Sequence, residues 1–263
     1  MSGPRPRKSL SQHFLADPGI LARIAAALQA EPGDTVLEIG PGPGGLTVAL
    51  ARLPVRVIAI ERDARLIPGL RARVPTATIV EGDALALDWH ALVGPGPFRV
   101  VGNIPYHITT PLIERALLPP RPACIVFLVQ KEVALRVSAR PGTAAYGALS
   151  VGVQAVARVE RLFTVPAGAF SPRPKVDSAV LRLTPLAEPL VRDQEVEPFR
   201  RLVVGLFGFR RKQLIRGLRQ HTGLGPEAVA RLLAQTGLAP AARPETLAPA
   251  AFVRLFHVLP RSS

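Results

Sequence analysis

Two periods of apolar residues divide the chain. Residues 35–39, 55–60, 77–80, 98–101 and 123–129 are short, nearly unbroken apolar runs, the pattern of strands buried on both faces. Between them, apolar residues recur at helical spacing, beginning with a helix predicted over 18–30 that Asp17 caps and Pro18 opens. Strand and helix alternate to about Val156, which predicts a mostly parallel sheet covered on both faces, an α/β fold. Runs at 159–165 and 178–184 are expected to close that sheet as an antiparallel pair. The proline-bearing stretch 184–193 reads as a linker, and 196–221, 226–237 and 249–259 as helices with Gly or Pro breaks. The expected organisation is an α/β domain over 1–185 and a small all-α domain over 186–263, with no internal repeat or low-complexity tract.

Polar groups gather where these strands end. Ile39 is followed by Gly40, Pro41, Gly42, Pro43, Gly44 and Gly45 and then by a helical pattern, and strand, Gly-rich turn and helix start together make a nucleotide-binding corner. The second strand ends in Glu61, a carboxylate suited to the two hydroxyls of a ribose. The third leads into Asp83, which can accept from an adenine amino group or simply stabilise its turn. Such a corner suits NAD or S-adenosylmethionine. The G-x-G-x-G spacing and the two prolines favour a loop around compact S-adenosylmethionine over one presenting N–H groups to a pyrophosphate. Glu38, just before the turn, can reach that ligand's ammonium or brace the loop.

The fourth strand delivers Asn103, the only asparagine in 263 residues, which opens the run Asn103, Ile104, Pro105, Tyr106. An aromatic amine such as adenine N6 is a poor nucleophile because its lone pair is delocalised into the ring. Two acceptors, the Asn103 side-chain oxygen and a backbone carbonyl, most simply that of Ile104, would hold both N–H bonds and turn the lone pair towards a methyl donor. Pro105 fixes φ at about −65° and donates nothing, so the acceptors stay aimed. Tyr106 can cover the face of a base drawn out of its stack. A strand end followed by a proline turn is the plainer reading of the same residues.

Nine segments then occur in an order that makes them specific together: SQHFL (11–15), LEIGPGPGGLT (37–47), IERD (60–63), GDAL (82–85), GNIPY (102–106), QKEV (130–133), AYGALSV (145–151), FSPRPKVDSAV (170–180) and FRRKQL (209–214). From about Lys8 to the C-terminus the chain resembles the bacterial small-subunit rRNA adenine N6,N6-dimethyltransferases, the kasugamycin-sensitivity methylase family. All four lysines, Lys8, Lys131, Lys175 and Lys212, fall in or beside these segments, in a chain that otherwise uses arginine, 29 times in all. The resemblance implies a Rossmann-like S-adenosylmethionine methyltransferase sheet with a small all-α C-terminal domain. It also implies transfer of methyl groups to N6 of two adjacent adenines in a hairpin near the 3′ end of small-subunit rRNA, within ribosome maturation.

Residue by residue, the resemblance places the cofactor against Gln12, His13, Leu15, Glu38, Gly40, Gly42, Glu61, Arg62, Asp83, Ala84 and Asn103. The acceptor adenine goes to Asn103, Ile104, Pro105, Tyr106 and Phe170. Phe170 is read in a loop, supplying a second stacking face of about 1–3 kcal/mol per base; a core Phe between prolines is the alternative. Two positions depart from the family, which usually has Asn where this chain has His13 and His107. His13 can still form one hydrogen bond to the cofactor, whereas His107 is read as structural. The erythromycin-resistance methylases of large-subunit rRNA share the Gly loop, the tetrapeptide and the F-x-P-x-P-K-V run. QKEV and AYGALSV point to the small-subunit enzymes instead, and Tyr146 carries part of that distinction, with an ordinary half-buried helix residue as the alternative.

Composition sets the partner. A formal charge of +14 and a pI near 11.4 exceed what solubility needs and imply a polyanion. Arg210, Arg211, Lys212, Arg216 and Arg219, interleaved with Leu214, Ile215 and Leu218, read as a basic helix face for RNA phosphates, with a solvated helix as the alternative. The single cysteine, Cys124, lies in an apolar strand and reads as a buried thiol of a reducing compartment. The five histidines show no ligand spacing, so no metal is expected. No apolar run approaches a membrane span or an N-terminal signal segment. The reading is a cytoplasmic monomer acting on small-subunit rRNA in the immature small ribosomal subunit; an rRNA-binding assembly factor without catalysis is the alternative of another class.

Overall fold

The computed structural model describes residues 13–260. A short strand β1 (Phe14–Leu15) precedes helix α1 (Pro18–Ala27), where the Asp17 carboxylate accepts from the Ile20 amide at 2.9 Å and so caps the first turn. The helix stops short of the expected residue 30 because Gln29 turns to φ +51°. There follow β2 (Thr35–Ile39), α2 (Gly45–Leu50), β3 (Arg56–Glu61), α3 (Ile67–Arg73), β4 (Thr78–Glu81), α4 (Trp89–Val93), β5 (Phe98–Asn103), α5 (Thr109–Ala116), β6 (Cys124–Gln130) and α6 (Lys131–Val137). The chain continues through α7 (Ala148–Gln154), β7 (Ala157–Val165), β8 (Phe170–Ser171) and β9 (Ser178–Pro185).

Seven strands form one sheet in the order β4-β3-β2-β5-β6-β9-β7. β4 to β6 run parallel, and β9 lies antiparallel to β6 and beside β7. The central strands are apolar on both faces because helices cover both: Val36, Leu37, Val100, Val101, Ile125 and Val126 are all at 0% exposure. After β4 the chain returns to the other side of β2, which makes the gap between β2 and β5 the place where strand order reverses. Ligands of open α/β sheets bind at such a point, beyond the carboxyl ends of the strands. β1 pairs with β8 as a separate two-stranded ribbon, with Phe14 opposite Ser171 and Leu15 opposite Phe170.

Among the described residues two compact units result, 13–134 with 159–185, and 135–158 with 186–260. The stretch 135–158 therefore groups with the helical C-terminal part, which corrects its placement in a domain over 1–185. Tyr146 shows why. It is fully buried, its hydroxyl donates to the Leu247 carbonyl at 2.7 Å, and its ring meets Phe207 edge-on at 6.0 Å. Beyond the linker come α8 (Val196–Phe207), α9 (Leu214–Thr222), α10 (Pro226–Thr236) and α11 (Pro249–Val258). Residues 208–213 interrupt the helical stretch expected over 196–221, and the first amides of α9, Leu214 and Ile215, donate to the Ala242 and Pro240 carbonyls at 2.6 and 3.2 Å.

Candidate active site

A cavity opens at the carboxyl ends of β2, β3, β4 and β5, and most of the expected ligand-binding residues meet there: Gly40, Gly42, Glu61, Arg62, Asp83, Ala84, Asn103, Ile104, Pro105 and Tyr106 line it with His13. The glycine turn is set by sterics. Gly42 sits at φ +57°, and a Cβ there would come 2.9 Å from the Phe14 ring. Glu61, 5% exposed, holds the turn against the end of β3: its Oε2 accepts from the Gly42 amide at 2.9 Å and its Oε1 from the Asp63 amide at 2.7 Å. Each oxygen keeps a second lone pair. Burial, with the nearby Asp63 charge adding to it, pushes the Glu61 acid up from its ordinary range, and the amides of Asp63, Gly42 and Arg62 oppose the shift.

Asp83 is both brace and wall. Its Oδ1 accepts from the Leu85 amide at 2.9 Å, while Oδ2 lies 3.4 Å from the Arg62 guanidinium. The Ala84 carbonyl accepts from the Trp89 indole at 2.8 Å, fixing the wall behind it. Glu38 lies deeper, 1% exposed, and does not line the cavity surface. Burial pushes its acid up to about 8, with the Glu61 charge adding to the shift and the neighbouring Thr47 hydroxyl opposing it. Geometrically that hydroxyl falls short of a hydrogen bond: neither Glu38 Oε2 nor Thr47 Oγ1 has a partner among the described residues.

At the end of β5, Asn103 Nδ2 donates to the His13 carbonyl at 2.8 Å. That bond settles the orientation of the amide, because a carbonyl can only accept. Asn103 Oδ1 is then the atom left for a donor from outside. The Ile104 amide donates to Leu128 at 3.0 Å, and the Pro105 carbonyl accepts from the Ile108 amide and the Thr109 hydroxyl at 3.1 and 3.2 Å. Tyr106 opens a short 3-10 turn, pairs its hydroxyl with Ser178 Oγ at 3.1 Å and stacks on the His13 ring.

The Leu15 side chain, 7% exposed, points into the core, which leaves its backbone as the part that can meet a ligand, and its neighbour Phe14 faces the cavity, as side-chain alternation along β1 requires. Two expectations need correction. Phe170, 5% exposed, is no loop residue: it forms β8 and packs in the same core cluster as Leu15, Val165 and Val180, away from the cavity lining. His107, read as structural, is exposed on the cavity rim. Gln12 lies outside the described residues. Phe14 was within reach of the sequence, since it shares a segment with His13 and Leu15.

In the C-terminal unit, Arg211, Lys212, Arg216, Arg219 and Arg243 line a polar cleft with Gln213 and Gln220. Arg210 is not among them. Its guanidinium is tied to Glu245 at 2.7 Å and to the Ala144 carbonyl at 2.8 Å, so its charge is matched by an acid 35 residues on that the run 210–219 does not contain. Arg210, Arg211 and Lys212 lie in the turn before α9, not on a continuous basic helix. Arg243 was missed because nothing in the sequence joins it to the 211–219 cluster. Among the described residues no group of His, Cys, Asp and Glu could hold a metal ion, and no helix is long and apolar enough to cross a membrane.

A sheet of this order, with its glycine turn at β2, a carboxylate at the end of β3 and Asn-Ile-Pro-Tyr at the end of β5, defines a Rossmann-like methyltransferase. The pattern of the family "Ribosomal RNA adenine dimethylase" matches residues 3–260, and the chain belongs to that family. It is similar to the ribosomal RNA small subunit methyltransferase A of Nitratidesulfovibrio vulgaris, with 44% identity covering 99% of this chain and 98% of the relative. Among solved structures it resembles a dimethyladenosine transferase from Plasmodium falciparum, with a TM-score of 0.81, 28% identity and coverage of 92% and 96% of the two chains. The 23S rRNA methyltransferase ErmE is similar at a TM-score of 0.72 and 31% identity, covering 93% and 98%.

Proposed function

We propose that the protein transfers methyl groups from S-adenosylmethionine to N6 of two adjacent adenines near the 3′ end of small-subunit rRNA, acting as a cytoplasmic monomer on an immature small subunit. The observation that carries the reading is the Asn103 amide, whose nitrogen is engaged by the His13 carbonyl so that Oδ1 is presented as an acceptor. Of the carbonyls beside it, that of Pro105 is already occupied, which makes the Ile104 carbonyl the second acceptor for an exocyclic amine. With both N–H bonds held, the lone pair is released from the ring and aimed. Tyr106 stacks on the base, and burial of Phe170 leaves that task to Tyr106.

The donor site fits S-adenosylmethionine by its chemistry. Glu38, behind the glycine turn with an oxygen that has no partner among the described residues, reaches an amino acid's ammonium through water. Glu61 retains lone pairs for ribose hydroxyls, and Asp83 stands at the third strand end for an adenine amino group. Bound there, S-adenosylmethionine supplies a methyl group already activated by its sulfonium. The protein's part is orientation and exclusion of water; no general base is needed, because the amine becomes acidic only as its new bond forms and then loses its proton to water. Arg211, Lys212, Arg216, Arg219 and Arg243 hold RNA phosphates.

The choice of the small subunit rests on the relative at 44% identity, against 31% for the 23S enzyme. Mass spectrometry of rRNA from unmethylated ribosomal subunits, incubated with the protein and labelled S-adenosylmethionine, tests it. Label on two adjacent adenines of small-subunit rRNA is expected. Label confined to large-subunit rRNA, or none, overturns the reading.

A further inference from the structure

His13 touches both acceptor-side groups, with different atoms. Its carbonyl accepts from Asn103 Nδ2 at 2.8 Å, and its ring lies against Tyr106 with centroids 5.5 Å apart and planes inclined by 26°. The ring is itself held. Nδ1 lies 2.8 Å from the Pro172 carbonyl, which can only accept, so Nδ1 carries a proton in this arrangement. The other end of the stack is held as well, by the Tyr106 hydroxyl on Ser178 Oγ at 3.1 Å. Pro172 and Ser178 bracket one segment, running from β8 into β9, so the His13–Tyr106 pair is tied at both ends to the same piece of chain. Asparagine, usual in the family at this position, has no ring with which to do this.

We propose that His13 is a positioning residue of the acceptor slot: its ring backs one face of Tyr106, leaving the other for the adenine, and its carbonyl sets the Asn103 amide. Two alternatives are distinguishable. A ring that merely plugs the base's place would have to leave for catalysis. One that contacts the methyl donor would govern donor affinity. Moving the ring out of the way, as a plug must, would break the bond to Pro172, whereas a ring that backs Tyr106 keeps it throughout. This inference rests on Asn103 and Tyr106 forming the adenine site.

The test compares His13→Ala and His13→Phe with the unchanged protein, measuring S-adenosylmethionine affinity by calorimetry and single-turnover methylation of unmethylated small ribosomal subunits. His13→Ala is expected to lower kcat/KM for the subunits by about tenfold, the scale of a lost ring stack, with donor affinity within about twofold. His13→Phe, which keeps the stack but not the bond to Pro172, is expected to recover most of that loss. A rise in kcat/KM for His13→Ala would mean a plug. A fall in donor affinity matching the fall in kcat/KM would mean a donor contact. Equal losses in both variants would remove the stack from the explanation. Failure of the unchanged protein to methylate would strike the acceptor-site reading itself, before any variant is compared.

Discussion

The cavity at the strand ends and the cleft beside α9 are built from opposite materials. In the cavity, the polar groups are fixed by the backbone: buried Glu61 holds two amides, and half-buried Asn103 is locked by the His13 carbonyl. In the cleft, Arg211 and Lys212 are exposed cations on a turn, and Lys212 meets Gln220 at 3.0 Å and the face of Phe209 at 5.3 Å. Burial makes each hydrogen bond costly to lose and geometrically exacting, which suits chemistry. Exposure leaves charge adaptable and screened by salt, which suits a flexible polyanion. The +14 of the chain and the precision of its site are thus separate properties, open to separate tests.

The largest effect should come from Asn103→Ala, which removes an orienting contact worth about 2–4 kcal/mol of barrier by analogy with oxyanion donors. Single-turnover methylation should fall to below a tenth of its normal rate, while calorimetry finds S-adenosylmethionine binding within a few-fold. Retained activity would show that the locked amide is only structural.

Next is the pH response of the cavity. Glu38 has its acid raised to about 8 by burial, so folding takes up a proton there. Its contribution to stability is complete below its ordinary value of 4.5 and is lost as pH climbs to about 8, by at most ~1.4 kcal/mol per pH unit. Denaturant unfolding between pH 5 and 8 should therefore show a decline that Glu38→Gln flattens. Parallel curves for the two proteins would mean that the buried acid is satisfied in some other way.

The smallest effect separates cations within the C-terminal unit. Exchanging Arg211, Lys212 and Arg243 for Gln should flatten the dependence of log RNA affinity on log salt by about two units, at ~0.7–0.9 per phosphate contact. Arg210→Gln should leave that slope alone and cost at most about 1 kcal/mol of stability, as expected for a partly exposed pair with Glu245. An equal change in slope from Arg210 alone would erase the distinction between held and free cations.

Much of the cavity was legible because its parts are local in sequence: a glycine turn after one apolar run, Glu61 after the next, Asn103 after a third. What was not legible depends on distant pairing. β1 and β8 have two residues each, too few to show a period, so neither the inward turn of Leu15 nor the burial of Phe170 left a trace. The tie of Arg210 to Glu245 and the grouping of 135–158 with the helical part depend on contacts made by Glu245, Thr143, Ala144 and Leu247, far from the motifs that drew attention. His107 was misplaced for another reason: a departure from the family's usual residue carries no sign of which way its side chain faces.

The bond between His13 and Pro172 spans 159 positions, and its consequence lies in how the protein is made. Translation delivers the glycine turn and Asn103 well before the segment that anchors His13. At ~5–20 residues per second, the interval from Asn103 to Pro172 lasts on the order of several seconds. Throughout it a nascent chain holds strands β2 to β5 and their carboxylates, while β8, the partner of β1, comes only at its end. Ribosomes stalled within that interval would thus carry a protein with its donor-side strand ends already made and the anchor of its acceptor side still unsynthesised.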